Sequence, residues 1–106
     1  MANECVLPQL SVPERDRLLM FLKLVSDDNR FKIIQVLADW PERCVCEIWQ
    51  CLDLPQNLTS HHLGALKEFG LVTSRKVGTN VIYQLKRSVF DEYISLLQST
   101  IVTRKR

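Results

Sequence analysis

Residues 53–85 read DLPQNLTSHHLGALKEFGLVTSRKVGTNVIYQL, and their pattern changes once, at Gly70. Before Gly70, apolar side chains recur at helical spacing, and a glycine at that position is typical of a helix C-terminus. After Gly70, two short runs rich in β-branched residues lie on either side of Gly78. Such runs around a glycine turn predict a two-stranded hairpin. We therefore expect a helix over about 56–69 and a hairpin directly after it.

Apolar periodicity predicts four further helices outside this stretch, at about 12–26, 28–40, 44–52 and 88–101. Ser11 is expected to cap the first helix, and Ser26, Asp27 or Asp28 the second, which should end before Pro41. The inward-facing side chains are expected to be Phe31, Ile34, Val36 and Leu37 in the second helix, Val45, Ile48 and Leu52 in the third, and Leu58, Leu63 and Leu66 in the fourth.

The predicted order is helix, helix, helix, helix, strand, strand, helix. A short helix, a tight turn and a second helix form a helix-turn-helix, and a hairpin directly afterwards is the wing of a winged helix-turn-helix. The fold class is thus mainly α with a β-hairpin. Residues 1–106 are expected to form one such domain, with a flexible N-terminal arm over 1–11 and a frayed basic tail over 102–106.

Length and composition fit one compact globular domain, with 106 residues, 46% of them hydrophobic and 25% charged. No apolar run approaches the ~20 residues of a membrane span, and the first ten residues lack the pattern of a secretory signal. We therefore expect no membrane partner and a cytoplasmic location. Because neither a nucleophile beside a base nor a phosphate-binding glycine loop is evident, we expect no enzyme.

The fourth predicted helix carries side chains suited to reading DNA. Amides can pair with adenine, hydroxyls with bases or phosphate, and a helix N-terminus favours phosphate. The alternative is an ordinary solvated helix face, and for the wing cations, ordinary edge-strand charges. The expected DNA-binding residues are Gln56, Asn57, Thr59, Ser60 and His61 in the helix, and Arg75, Lys76, Thr79 and Asn80 in the wing. His62 is expected to have a partly buried packing role.

The distribution of charge, and not its sum, supports a nucleic-acid partner. The formal surplus is +2, which is too small to indicate DNA binding by itself. Between Lys67 and Arg87, however, five basic residues accompany a single acid, Glu68. The positive charge is therefore concentrated around the predicted wing.

Cys44 and Cys46 are expected to lie in the first turn of the third helix, where the helix dipole would lower their pKa values and favour thiolates. Residues two apart on an ideal helix are rotated by roughly 200°, whereas two sulfurs on one ion must come within about 4 Å. Joint binding of a soft ion should therefore unwind or bend that turn, which positions the fourth helix, and so link ion binding to DNA affinity. The alternative is a pair of inert core cysteines.

The other two cysteines have different expected roles. Cys51 is too far along the helix to share an ion with the pair, and we expect it to be a small buried residue. Cys5, in the N-terminal arm, could supply a third sulfur from its own chain or from a partner chain. Three thiolates without histidine favour a soft ion of low coordination number.

The sequence resembles the ArsR/SmtB family of winged-helix metalloregulatory repressors over about 18–97. The resemblance is carried by residues 44–48, CVCEI, by 54–63, LPQNLTSHHL, and by 66–72, LKEFGLV. It implies a homodimer, closed largely by the first and last helices, that occupies operator double-stranded DNA until thiolates capture an inducer. The interface residues implied by this arrangement are Leu18, Leu22, Phe90, Tyr93 and Leu97.

Carried over by position, Cys44 and Cys46 match the paired cysteines of the arsenite-, antimonite-, cadmium- or lead-sensing members, and Cys5 resembles the extra N-terminal ligand of the cadmium branch. This chain has one such N-terminal cysteine where that branch commonly has two. The resemblance therefore implies As(III) or Sb(III) as inducer, with Pb(II), Cd(II) or Bi(III) as alternatives. Zn(II) is disfavoured, since the last helix contains no histidine.

Two other functions remain open from the sequence. The cysteines could form a redox switch, with a disulfide from Cys5 to Cys44 or Cys46 that releases DNA without any metal. The chain could also be a metal-buffering protein that has no operator and shows no salt-dependent DNA binding.

Overall fold

The structure, a computed structural model, describes residues 10–40 and 42–101. The elements are α1 (Val12–Val25), α2 (Asp28–Asp39), β1 (Arg43–Cys44), α3 (Val45–Leu52), α4 (Gln56–Phe69), β2 (Val72–Val77), β3 (Asn80–Leu85) and α5 (Arg87–Thr100). The predicted five helices and hairpin are confirmed, and the two-residue strand β1 is an addition. No helix within the described ranges combines the length and the apolarity needed to cross a bilayer.

Specific caps set the helix boundaries. The Ser11 hydroxyl accepts the N–H of Glu14, whose carboxylate accepts the N–H of Ser11 in return, so α1 begins with a capping box. The Asp27 side chain accepts the N–H of Arg30 and thereby caps α2. Ser11 thus has a defined place, although it was assigned to the flexible arm. The rest of that arm, up to residue 9, and the predicted tail over 102–106 lie outside the described residues.

The core lies where α1, α2, α4 and α5 converge on the sheet. Its fully buried side chains are Phe21, Ile33, Leu37, Ile48, Thr59, Leu63, Leu66, Leu71 and Val72. Phe21 stacks on Tyr93 of α5, with ring centroids 4.8 Å apart, and the Tyr93 hydroxyl accepts a hydrogen bond from Arg17 Nε. These contacts join α1 to α5, the two helices on either side of the helix-turn-helix in the sequence.

Phe31 was assigned wrongly to the buried face of α2. Its side chain is half exposed, and Ile33 is buried instead, beside Ile34 and Leu37. At 100° per residue, Phe31 lies roughly 110° from the centre of that buried face. An isolated sequence could not place the centre of the face, because Phe31 and Ile34 are themselves at helical spacing.

Two of the residues assigned to a dimer interface belong to the core of the chain itself. Leu18 and Tyr93 are buried within the single subunit, so they have little surface left to offer a partner. Leu22, Phe90 and Leu97 are half-buried against the same core. The large apolar side chains that α1 exposes are instead Val12, Leu19 and Met20.

The three strands form one antiparallel sheet in the order β1, β3, β2. We call β2, β3 and the turn between them the wing. Val77 pairs with Asn80, and Gly78 begins the two-residue turn with a φ of 63°, as predicted for a glycine turn. In β3, Ile82 pairs with Cys44 on one side and with Arg75 on the other. One row across the sheet therefore joins a cysteine to a wing cation.

His62 connects α4 to α2 through polar contacts in a largely apolar setting. It is buried, as expected, with Nδ1 3.4 Å from Arg30 Nη1 and Nε2 3.8 Å from Asp27 Oδ2. Arg30 Nε also donates to the carbonyl of Leu24 at the end of α1. Burial lowers the pKa of His62, and the Arg30 charge acts in the same direction, although the Asp27 charge opposes both. His62 is therefore neutral at neutral pH.

Gly64 inside α4 and Gly70 at its C-cap should respond in opposite ways to the same substitution. Gly64 lies inside the helix with open space around its Cα, so Gly64→Ala should stabilise the fold by ~0.5–1 kcal/mol. Gly70 has a φ of 101°, and Gly70→Ala should destabilise it by about 1–2 kcal/mol. Urea denaturation at one fixed protein concentration measures both. Equal effects of the two substitutions would contradict the left-handed C-cap.

The buried His62 predicts a loss of stability in mild acid. As pH falls through about 6.5, histidine in the unfolded chain takes up a proton more readily than native His62, whose pKa is lowered by burial. The free energy of unfolding should therefore fall as pH is lowered from 7.5 to 5.5, with pH values chosen to bracket about 6.5. His62→Gln should remove much of this dependence, whereas His61→Gln, at an exposed neighbour, should leave it. Thermal unfolding across that range distinguishes the two variants.

Candidate thiol site and nucleic-acid interface

Cys44 and Cys46 lie side by side at the junction of β1 and α3. Cys44 is the last residue of β1 and the N-cap of α3, with an extended backbone (φ −66°, ψ 146°). Cys46 is in the first turn, and the two sulfur atoms are 2.6 Å apart. We call these two sulfurs the thiol site. The prediction that the two sulfurs could approach only if the first turn unwound or bent was wrong, because Cys44 is not helical.

The Cys44 sulfur also caps α3. It accepts the N–H of Cys46 at 3.4 Å and that of Glu47, while the Glu47 carboxylate accepts the N–H of Cys44 at 3.0 Å. This is a capping box in which sulfur replaces the usual hydroxyl. The spacing of Cys44 and Glu47 is the capping-box spacing, and that signal could have placed the start of the helix correctly. An ion on Cys44 would bind the atom that caps the helix.

The thiol site is poorly disposed to lose both protons while it is empty. The hydrogen bond with Cys44 raises the pKa of the Cys46 thiol, and burial and the Cys44 charge act in the same direction. The expectation that the helix dipole would dominate is therefore corrected for Cys46. Each thiol that binds an ion must first release its proton, since thiolate is the binding form.

Two soft sulfur donors suit a thiophilic ion, but a third ligand would be needed to complete a three-coordinate site. Among residues 10–40 and 42–101, no group of three or more Cys, His, Asp or Glu side chains is placed to hold a metal. Cys51 is exposed, not buried as expected, because it lies on the outer face of α3. Cys5, the predicted third ligand, lies outside the described residues.

The segment just before the thiol site carries alternating charges. The Arg43 guanidinium lies over the Trp40 ring, with Nη1 3.8 Å from Glu47 Oε2. Glu42 accepts two hydrogen bonds from Arg75 Nη2 of the wing, at 2.7 and 2.8 Å. The wing cation predicted to contact DNA is thus paired with a carboxylate two residues before Cys44.

Most of the predicted DNA-binding residues lie on the surface of α4 and the wing. The exposed ones are Gln56, Asn57, Ser60, His61, Arg75, Lys76, Thr79 and Asn80. No side chain caps the N-terminus of α4, where Pro55 is the N-cap. The N–H of Leu58 donates to Asn57 Oδ1, and the other first-turn N–H groups can serve an anion such as phosphate.

Thr59 was assigned wrongly to this surface. It is fully buried, and its hydroxyl donates to the carbonyl of Pro55 at 3.1 Å. The hydroxyl is therefore satisfied inside α4 and cannot reach a base. Its position between Gln56 and His62 was compatible with either face in the sequence, and packing against α2 and α3 determined which face is buried.

Comparison with known proteins places this architecture in a family. Residues 27–74 match the model of the family described as bacterial regulatory protein, arsR family. The cadmium resistance transcriptional regulatory protein CadC of Listeria innocua is 46% identical over 66 residues, which are 62% of this chain and 56% of that protein. The chain thus matches little more than half the length of this relative.

Two further likenesses extend over most of the chain. The arsenical resistance operon repressor of Staphylococcus aureus is 33% identical over 85 residues, which cover 80% of this chain and 81% of that protein. The homodimeric winged helix-turn-helix DNA-binding domain of a possible ArsR-family regulator from Mycobacterium bovis superimposes with a TM-score of 0.65 at 26% identity, covering 81% of this chain and 77% of that one. The chain therefore belongs to the arsR family of bacterial regulatory proteins, a family of transcriptional regulators and not of enzymes.

Proposed function

We propose that the chain is a homodimeric transcriptional repressor that binds operator DNA and is released when a thiophilic ion binds Cys44 and Cys46. The observation that carries this proposal is the thiol site, two free sulfurs 2.6 Å apart where the helix-turn-helix meets the sheet of the wing. The names of the relatives agree with it, since one concerns cadmium resistance and the other an arsenical resistance operon.

DNA binding by α4 and the wing follows from what these elements expose. Gln56, Asn57 and His61 stand at the N-terminal end of α4, which is where a recognition helix presents side chains to base edges in the major groove. Lys76 and the hairpin tip lie at the end of the wing and would contact the neighbouring phosphates. Thr59 no longer belongs to this set.

The ion that the site favours is As(III) or Sb(III). Cys44 and Cys46 supply two sulfurs, and Cys5 of the same or the partner chain would complete a three-sulfur set without histidine. Pb(II) and Bi(III) accept the same soft donors, and Cd(II) stays an alternative because the cadmium-resistance relative is similar over 66 residues. Zn(II) is disfavoured, because its structural sites use four ligands and the described residues offer two at this position.

A dimer interface is supported by exposed apolar side chains on α1 and directly after α5. Val12, Leu19 and Met20 of α1 are exposed, and so is Ile101, which follows α5. The half-buried Leu22, Phe90 and Leu97 belong to α1 and α5, which pack against each other, and exposed apolar side chains on such elements are of the kind that two copies bury in association. The homodimeric relative from Mycobacterium bovis agrees with such an assembly.

Release follows from the double role of Cys44. The residue caps α3, which packs directly against α4, and it pairs with β3 of the wing. Because two sulfurs on one ion lie roughly 3.5–4 Å apart, an ion would move Cys44 away from Cys46, and a third sulfur would hold it there. That displacement would act on both DNA-binding elements at once. A coupling free energy of about 1–3 kcal/mol, ordinary for linked sites, would weaken DNA binding roughly 5- to 150-fold.

Serine substitutions test the thiol site directly. Cys44→Ser and Cys46→Ser should still bind a duplex selected from a random-sequence pool, but arsenite should no longer release them, because hydroxyl oxygen is a poor ligand for a thiophilic ion. Cys51→Ser is the matched control and should respond like the wild type, since Cys51 is exposed on α3. Fluorescence anisotropy of labelled duplex, with and without arsenite, antimonite, cadmium, lead or zinc, measures the response.

Three outcomes would contradict the proposal or favour another function. If both serine variants still dissociated with arsenite, the thiol site would not be the sensor. The adjacent thiols also allow a redox switch, and release of wild-type protein by peroxide in the presence of a chelator would favour that alternative. Ion binding without salt-dependent DNA binding would instead indicate metal buffering.

A further inference from the structure

The ion pair between Glu42 and Arg75 joins the thiol segment to the wing. Both carboxylate oxygens of Glu42 accept from Arg75 Nη2, at 2.8 and 2.7 Å, across 33 residues of sequence. Both side chains are about half exposed. An exposed pair of this kind contributes little to folding, so a competing anion can displace Glu42 from the guanidinium.

The neighbouring cations show that this pairing is particular to Arg75. Lys76, the next residue of the wing, has no carboxylate partner in the part of the chain that the structure describes. Lys67 donates to the Ser74 hydroxyl and likewise pairs with no carboxylate of residues 10–40 and 42–101. Arg75 alone among these three is therefore held by an internal anion, and a phosphate oxygen would have to take the place of the Glu42 carboxylate.

The sheet gives this pair a fixed relation to the thiol site. Ile82 pairs with Arg75 in β2 and with Cys44 in β1, so the two residues flank the same position of β3. Strands lie about 4.8 Å apart, which puts the two backbones roughly 10 Å from each other. Glu42 is two residues before Cys44, and a shift of Cys44 moves Glu42 relative to Arg75.

We propose that Glu42 is a positioning residue that competes with DNA phosphate for Arg75 and thereby limits the affinity of the wing for DNA. This inference rests on the proposed DNA-binding function. Glu42 acts only through Arg75 and contacts no DNA. If an ion at the thiol site strengthens the Glu42–Arg75 pair, the affinity of the wing for DNA falls. If the ion breaks the pair, that affinity rises.

The test uses short double-stranded DNA of random sequence, because phosphate contacts do not depend on sequence. Glu42→Gln should raise the affinity of the otherwise intact chain about 1.5- to 5-fold, the range expected for release of an exposed ion pair. It should also steepen the dependence of log affinity on log salt by about 0.9 for each phosphate that Arg75 gains. Glu42→Asp, which keeps the charge, should behave nearly like the wild type.

Two backgrounds separate competition for Arg75 from the general effect of removing a negative charge. In Arg75→Gln, the added Glu42→Gln change should raise affinity much less and leave the salt slope unaltered. In Lys76→Gln, which removes the adjacent unpaired cation, Glu42→Gln should keep its full effect. An equal increase in both backgrounds would show a nonspecific charge effect and overturn the proposal.

The remaining outcomes are also decisive. Lower affinity of Glu42→Gln would mean that Glu42 prepares Arg75 for DNA, which is the opposite of competition. Absence of salt-dependent binding by the wild type would refute the proposed DNA-binding function, and the inference with it. Normal wild-type binding that Glu42→Gln leaves unchanged would refute the inference alone.

Discussion

The backbone of Cys44 is the constraint on which the rest of the site depends. Because this residue ends a strand and does not enter the helix, its side chain can turn back over the first turn of α3 and meet Cys46. The same extended backbone pairs with Ile82 and makes Cys44 part of the wing sheet. One residue therefore caps α3, places its sulfur beside that of Cys46 and pairs with a strand of the wing.

This arrangement changes how an ion would act on DNA binding. An ion could bind both sulfurs without unwinding a helix. Its binding would instead disturb the cap of α3 and the pairing of β1 with β3. One route to DNA runs from α3 to α4, which pack against each other, and another from β1 through β3 to the wing. The second route includes the Glu42–Arg75 pair. It depends on the short strand β1, which apolar helical periodicity does not predict.

Much of the fold was predictable from local chemistry. The Ser11 hydroxyl caps α1, and Gly70 and Gly78 adopt the positive φ angles that a helix C-cap and a hairpin turn require. The change of apolar period after Gly70 predicted the wing. The site was less predictable, because β1 has only two residues and exists through pairing with a strand almost 40 positions later. That pairing determined the backbone of Cys44. Burial of Thr59 and Ile33, and exposure of Cys51 and Phe31, likewise depended on which helices pack on which faces.

Amide hydrogen exchange of the free and the arsenite-loaded protein is the most direct test of the double role of Cys44. If Cys44 links the thiol site to both DNA-binding elements, arsenite should change exchange at Ile82 and Tyr83 in β3 as well as in the first turn of α3, and the change should be absent in Cys44→Ser. A response confined to residues 44–47, with β3 and α4 unaltered while DNA is still released, would contradict that role.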